Sequence, residues 1–71
     1  MTQHERIMGY IEVNGSITPM EAFLQLGITK LSTRIGEMRK NGVNIKDEFV
    51  TVRNRFGEPV RFKKYWIAKS E

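Results

Sequence analysis

The first 42 residues place their hydrophobic side chains at helical spacing, and the later residues alternate between hydrophobic and polar. Ile7 and Ile11 lie four positions apart and so share one face of a helix. Thr2 and Glu5 precede them in the spacing of a capping box, which satisfies two free N–H groups at a helix start. Gly15 can adopt the left-handed conformation that ends helices. A first helix is therefore predicted from Thr2 to Gly15.

A second, shorter helix is predicted to begin just after Thr18. Thr18 and Glu21 form another capping box, and Pro19 occupies the first helical position, where its missing N–H costs nothing. Gly27 ends the helix after about two turns. The apolar positions expected to pack into the core are Phe23, Leu24 and Leu26.

The third helix is predicted between Thr29, a possible N-cap, and Gly42, which ends it. One face forms a stripe for burial, made of Leu31, Ile35 and Met38. The opposite face is polar and is made of Lys30, Ser32, Thr33, Gly36, Glu37 and Lys40.

Two β-strands joined by a turn are predicted after Gly42. Val50 and Val52 alternate with polar residues, and residues 54–58 contain the turn formers Asn and Gly. A second alternating run follows, and its pattern is irregular at Lys63 and Lys64, which predicts a β-bulge. The predicted fold is α+β, three helices followed by a β-hairpin, with residues 1–71 as a single domain.

The second and third helices have the spacing of a helix-turn-helix motif, with Gly27 in the turn. A recognition helix needs a narrow polar face to enter a major groove that is about 12 Å wide. The third helix offers such a face, and the free N–H groups of its first turn, at Thr29, could bind a phosphate. A hairpin placed after this unit is the layout of a winged helix domain, in which the hairpin, the wing, contacts the DNA backbone or the minor groove.

The charge distribution strengthens this interpretation. The 71-residue chain has a net charge of +4. Residues 1–50 contain six basic and six acidic residues and are neutral, whereas residues 51–71 contain six basic residues against two acidic ones. The whole excess therefore lies on the hairpin segment. This excess positive charge either keeps a strand surface solvated or contacts phosphates.

Several classes of function are disfavoured by the composition. The chain has no Cys and one His, so neither a disulfide nor a His-rich metal site is expected. No phosphate-binding glycine motif and no 20-residue apolar stretch are present. We expect neither catalytic residues nor a cofactor, no signal peptide and no membrane partner. A small cytoplasmic protein that is not an enzyme is the expectation.

The sequence resembles the small phage and bacterial winged helix-turn-helix domains along nearly its whole length. The matching segments are residues 15–22 (GSITPMEA), 26–28 (LGI), 34–35 (RI), 38–39 (MR), 54–57 (NRFG) and 60–65, with Leu31, Gly42, Ile45 and Val52. The resemblance implies a winged helix fold and DNA binding. Gly36 departs from the pattern, since glycine weakens a helix by about 1 kcal/mol relative to alanine.

The leading hypothesis is a double-stranded DNA-binding protein, a small phage or mobile-element transcriptional regulator. Its third helix would enter the major groove, and its basic wing would contact the backbone or the minor groove. The predicted DNA-binding residues are Thr29, Lys30, Ser32, Thr33, Arg34, Lys40, Arg53, Arg55, Lys63 and Lys64. A homodimer or a neighbouring protein is expected to supplement the modest affinity of one such helix. The alternative is a protein-interaction module that binds and modulates a partner through the third helix or the wing.

Some side chains have two interpretations at this stage. Arg34 either contacts phosphate or pairs with Glu37 or Glu21, and Arg39 is structural or on the phosphate side. Phe56, in the predicted turn, is expected to fold back onto the hairpin, with contact to a sugar or to a partner protein as the alternatives. We expect Asn54 to form the turn and His4 to be solvated without a chemical role. Trp66, Phe62 and Tyr65 are expected in the core or on a hairpin face.

Overall fold

The fold consists of three helices followed by an antiparallel two-stranded hairpin, the winged helix-turn-helix architecture that the sequence predicts. A computed structural model describes residues 1–68. The helices are α1 (Gln3–Asn14), α2 (Pro19–Leu26) and α3 (Leu31–Lys40), and the strands are β1 (Ile45–Arg53) and β2 (Pro59–Ile67). Among the described residues, no helix is long and apolar enough to cross a membrane.

The ends of α1 and α2 follow the predicted capping chemistry. Both Thr2 and Thr18 accept a hydrogen bond from the backbone N–H of the glutamate three residues later, and the carboxylate of that glutamate accepts one from the backbone N–H of the cap residue. Gly15 and Gly27 end the two helices at φ values of 87° and 69°. These left-handed conformations are ones that side chains rarely tolerate, so glycine stops each helix.

The start of α3 differs from the prediction. Lys30, and not Thr29, is the N-cap residue, and no side chain caps the helix. Thr29 lies one position too early for its hydroxyl to reach the first free N–H groups. The first turn of α3 therefore keeps N–H groups that no side chain of residues 1–68 caps.

The packing face of α2 also differs from the prediction. Ala22 is fully buried, whereas Phe23 and Leu24 are 54% and 66% exposed. The reason is that Ile17 and Ile28, just before and after α2, fill the core at 0% and 1% exposure. Between them the helix buries only the small side chain of Ala22. Leu26 is partly buried and packs against the core, as predicted, whereas Phe23 and Leu24 face solvent.

One hydrophobic core joins all five elements. Each helix contributes to it, and so do both strands at the base of the hairpin. The buried residues are Ile7, Ile11, Ile17, Ala22, Ile28, Leu31, Ile35, Met38, Ile45 and Tyr65. The predicted stripe of α3 is confirmed.

The hairpin has an unbroken register, from Ile45 opposite Ile67 to Arg53 opposite Pro59. The predicted bulge at Lys63 and Lys64 is therefore wrong. These lysines are neighbours in a regular strand and point to opposite faces of the hairpin, since side chains alternate along a strand.

An additional connection between helices and hairpin was not predicted from the sequence. Ile17, in the segment before α2, exchanges two backbone hydrogen bonds with Tyr65, at 2.8 and 2.9 Å. This bridge acts as a one-residue third strand. It fixes β2 against the loop between α1 and α2, and so fixes the direction in which the hairpin leaves the core.

Candidate nucleic-acid interface

The solvent-facing side of α3 is a narrow ridge of small and basic residues. The outer ridge of α3 (Thr33, Gly36 and Lys40) lies opposite the buried stripe, because each residue turns the helix by about 100°. Thr33 and Lys40 are exposed, and Gly36 has no side chain to cover the backbone. Ser32 is exposed beside the ridge, and Thr29 and Lys30 are exposed before the helix begins. Such a ridge allows the backbone to approach a groove closely.

One flank of α3 is connected to α1. Nε2 of His4 lies 2.9 Å from Oε1 of Glu37, and Nη1 of Arg34 donates to the same oxygen at 3.1 Å. His4 was expected to be solvated, and this contact corrects that expectation. Arg34 adopts the structural alternative with Glu37, so its predicted DNA contact would compete with an existing bond.

The other flank of α3 is connected to the hairpin. The guanidinium of Arg39 donates from Nε and Nη2 to the carbonyl of Ile45, and from Nη2 to Oδ2 of Asp47 at 2.7 Å. The structural interpretation of Arg39 is therefore the one observed. Together with the His4–Glu37 contact on the opposite flank, this arrangement restrains rotation of α3 about its axis and determines which face points outward.

Both acidic residues in these connections are held in the charged form. The hydrogen bond from His4 is the main cause that lowers the pKa of Glu37, with Arg34 adding to it. The hydrogen bond from Arg39 is the main cause that lowers the pKa of Asp47. At neutral pH both carboxylates are ionised and paired. This state stabilises the arrangement and is unlike that of a general acid.

The wing tip is an ordered turn. Oδ1 of Asn54 accepts from the backbone N–H groups of Phe56 and Glu58, at 2.9 and 3.0 Å. Gly57 takes a φ of 77° and donates its N–H to the carbonyl of Asn54. Asn54 is thus confirmed as the turn former, through its side-chain oxygen.

Two predicted DNA-binding arginines lie at this tip. Arg53 is exposed, and its Nη1 donates to the carbonyl of Gly57 at 2.6 Å. Arg55 is exposed, and no ion pair to it forms within residues 1–68. Phe56 next to it is 78% exposed, so the expected fold-back onto the hairpin is wrong.

The two predicted lysines lie nearer the base of the hairpin and face carboxylates. Nζ of Lys63 is 3.9 Å from Oδ1 of Asp47, and Nζ of Lys64 is 3.8 Å from Oε1 of Glu48. The two lysines project from opposite faces. A single DNA strand would not meet both from the same side, so the structure separates residues that the sequence grouped. Lys69, which the charge count includes, lies outside the described residues.

The hairpin has two chemically distinct faces, which the cross-strand register defines. The basic face of the wing consists of Phe49, Thr51, Arg53, Arg61 and Lys63. The apolar face of the wing consists of Val50, Val52, Val60 and Phe62. At the base of the hairpin, the basic face continues into Ile45 and Tyr65, which pack on the helices. The cations of the outer wing therefore project from the helix-facing side of the hairpin.

Arg61 belongs to this basic face and was missing from the predicted interface. Its guanidinium carbon lies 4.2 Å from the centre of the Phe49 ring, a cation–π contact that leaves the residue exposed. The sequence indicated that Arg61 lies on the same strand face as Lys63 and Tyr65, because the three residues occupy alternate positions. Phe49 could not be identified as the aromatic partner of Arg61 without the register of the two strands.

Comparison with known protein families agrees with this architecture. The family model of the winged helix-turn-helix domain matches residues 2–70. The chain belongs to that family. Membership in it suggests DNA as the partner. Neither the curated proteins nor the solved structures that were compared gave a match.

Proposed function

We propose that this protein binds double-stranded DNA as a small transcriptional regulator of a phage or mobile element. In this proposal the outer ridge of α3 enters the major groove, and Ser32 and Lys30 contact groove or backbone beside it. Arg53, Arg55 and Arg61 contact phosphates or the minor groove through the wing.

The observation that supports the proposal most directly is the pairing of the outer ridge with the basic face of the wing. Contacts on both flanks restrain α3, so its polar ridge is oriented before any ligand binds. The cations of the wing project from the face of the hairpin that, at its base, packs on the helices. A preorganised surface of this kind loses little entropy on binding.

In this proposal the protein binds DNA without catalysing a reaction, and it works in the cytoplasm, where its DNA is found. The carboxylates near α3 have lowered pKa values and are engaged by basic partners, which supports this part of the proposal. A carboxyl that acts as a general acid at neutral pH needs the opposite shift.

The proposal also includes a second protein molecule on the DNA, either another copy or a different protein. One short recognition helix gives limited affinity, which dimers and neighbours normally increase. Met20, Phe23 and Leu24 form an exposed apolar stripe on α2, at 64%, 54% and 66% exposure. The stripe offers a surface for such a contact, since apolar side chains gain free energy when a neighbour covers them.

The test compares two single-charge variants, Arg55→Ala and Arg6→Ala. Both remove one positive charge, but Arg6 is an exposed residue of α1, far along the chain from the wing. We expect Arg55→Ala to weaken binding to every duplex sequence and to reduce the slope of log Kd against log salt by about 1. Arg6→Ala should leave that slope unchanged. Fluorescence anisotropy with labelled duplexes over a salt series measures both.

The proposal fails if the folded wild-type chain binds no duplex at low salt. It also fails if Arg55→Ala and Arg6→Ala have equal effects, because the wing would then contribute only net charge. Circular dichroism on each variant confirms that the helices remain folded.

The second candidate function is binding to a partner protein through the wing. It is favoured by Phe56, whose 78% exposed ring is free for a partner protein to cover, with a gain of free energy from the apolar area buried. A pull-down with nuclease-treated lysate distinguishes the two candidates. Under the protein-binding function a defined partner is retained after nuclease treatment, and Phe56→Ala releases it.

A further inference from the structure

The wing tip presents an aromatic ring that nothing in the described chain covers. Phe56 is 78% exposed, more than any other aromatic side chain in residues 1–68. A ring of this size left in water costs free energy that a partner could recover by covering it. Phe56 lies in the turn at the far end of the hairpin, where an approaching surface can reach it.

The backbone around the ring is already ordered. The backbone N–H of Phe56 donates to Oδ1 of Asn54. Arg53 donates to the carbonyl of Gly57, the residue that follows Phe56. These bonds close the turn without any contact to the phenyl group. The backbone that carries the ring is therefore ordered before binding, so fixing it costs little conformational entropy.

The charge around the ring favours a nucleic acid as its partner. Arg53 and Arg55 precede Phe56 in sequence, Arg61 lies on the adjoining strand, and Glu58 is the one acidic residue of the 54–58 turn. In the minor groove, about 6 Å wide, the two phosphate backbones come close together. The arginines beside an inserted ring would then lie close to phosphates.

The length of the wing allows this contact beside the recognition helix. The strands continue for six residues beyond Asp47, to Arg53, which corresponds to about 20 Å at 3.3 Å per residue. The major groove that would hold α3 is about 12 Å wide. The tip can thus extend past the groove wall to the neighbouring minor groove.

We propose that Phe56 is an intercalating wedge, which inserts between two base pairs from the minor groove and bends the duplex. This inference rests on the proposed duplex binding and adds a DNA-deforming activity to it. Apolar side chains that enter a base step unstack it and kink the DNA by about 20–90°. The bend would be largest at flexible pyrimidine–purine steps such as TA, which unstack most easily.

The experiment measures bending by energy transfer between dyes at the two ends of a short duplex, selected from a random pool with the wild-type chain. Bend angles are compared at saturating protein, so differences in affinity do not affect them. We expect the wild type to bend the duplex by at least about 20°. Phe56→Ala should bind within about tenfold of wild type and leave the duplex straight, because the arginines still hold the phosphates. Phe56→Leu should retain most of the bend, since leucine is also an apolar wedge.

Val13→Ala is the control, because it removes an exposed apolar side chain from α1, outside the wing and outside the stripe on α2. It should bend DNA as wild type does. A wild type that selects and binds a duplex without bending it overturns the wedge and leaves the proposed function intact. An equal bend with Phe56→Ala also overturns it. A wild type that selects no duplex overturns the proposed function itself. If Phe56→Ala bends normally and only abolishes capture of a protein partner, the ring serves protein binding and the wedge is wrong.

Discussion

Gly36 illustrates at the scale of one residue how a fold can leave a sequence feature unexplained. It lies inside α3 with ordinary helical geometry, and a Cβ built on it would meet no atom of the described chain within 4 Å. The fold therefore does not require glycine there. A side chain there would project into open space from the outer ridge of α3, which is the part of the helix that would face a groove floor.

We predict that Gly36→Ala stabilises the protein and weakens its binding to duplex DNA. Alanine favours the helix by about 1 kcal/mol over glycine, and the site has room for the methyl group. The same methyl group would hold the helix backbone away from the base edges. Urea denaturation measures the stability, and anisotropy with a selected duplex measures the affinity.

Gly9→Ala provides the control for this prediction. Gly9 lies in α1, again with nothing within 4 Å of a built Cβ, so the substitution should stabilise the helix to a similar extent. It should leave duplex affinity unchanged. If both variants bind DNA as tightly as wild type, Gly36 does not approach the DNA.

At the scale of elements, the attachment of the wing to α3 depends on few polar contacts. The carboxylate of Asp47 in β1 accepts a hydrogen bond from the guanidinium of Arg39 in α3. Arg39 also donates to the carbonyl oxygen of Ile45. The Ile17–Tyr65 bridge holds the other strand of the hairpin. Because the strands beyond these contacts extend away from the helices, the contacts at the base set the direction of the whole wing.

We predict that Asp47→Asn lowers stability at pH 7 and that the deficit disappears in acid. The pKa of Asp47 is lowered in the folded state, so its charge stabilises the protein above the unfolded value of about 3.9. That contribution is lost as the pH falls through the folded pKa. Urea midpoints of wild type and variant should therefore differ at pH 7, and the difference should shrink as the pH falls below about 4 and vanish below the folded pKa of Asp47.

Glu48→Gln removes the same charge from the next residue and serves as the control. Its carboxylate is 56% exposed and faces Lys64 at 3.8 Å, and exposed pairs of this kind contribute little to stability. An equal loss of stability in both variants at pH 7 would contradict a specific role for the Arg39–Asp47 contact. Convergence of the midpoints would then reflect net charge alone.

At the scale of the whole molecule, one core connects every element, and the hairpin shares it only at its base. Ile45 and Tyr65 are the strand residues buried with the helices. An isolated two-stranded hairpin is marginally stable in water. The wing should therefore depend on the helices for its folding.

We predict that the chain unfolds as one cooperative unit. Trp66, which is half-buried on β2, reports on the hairpin by fluorescence, and far-UV circular dichroism reports mainly on α1, α2 and α3. The two urea transitions should share one midpoint, because loss of the core removes the support for both. An earlier transition of the Trp66 signal would show that the wing unfolds independently, and the single-domain prediction would then be wrong.

Much of this molecule could be predicted because the signals are local. The capping boxes at Thr2 and Thr18 and the left-handed glycines at Gly15 and Gly27 depend on neighbours within four residues. The stripe of α3 follows from helical periodicity alone. The order of three helices and a hairpin, the basic character of the wing and the turn at Asn54 were accessible in the same way.

Contacts between residues distant in sequence could not be predicted in this way. His4 reaches Glu37 across 33 positions, and Ile17 pairs with Tyr65 across 48. Ile17, Ala22 and Ile28 fill the core beside α2, so Phe23 and Leu24 are exposed although their apolar side chains favoured burial. Many partners have the right chemistry for each of these contacts, and only the packed chain selects among them.

The sequence by itself thus determined which elements form and where the positive charge lies, because capping, periodicity and charge counts are properties of short segments. The tertiary structure decided how those elements face a ligand. It oriented the outer ridge of α3 by contacts on both flanks, divided the wing into a basic and an apolar face, and left Phe56 exposed at the tip. These features depend on strand register and on long-range packing, in which a shift of one residue would reverse the faces of the wing.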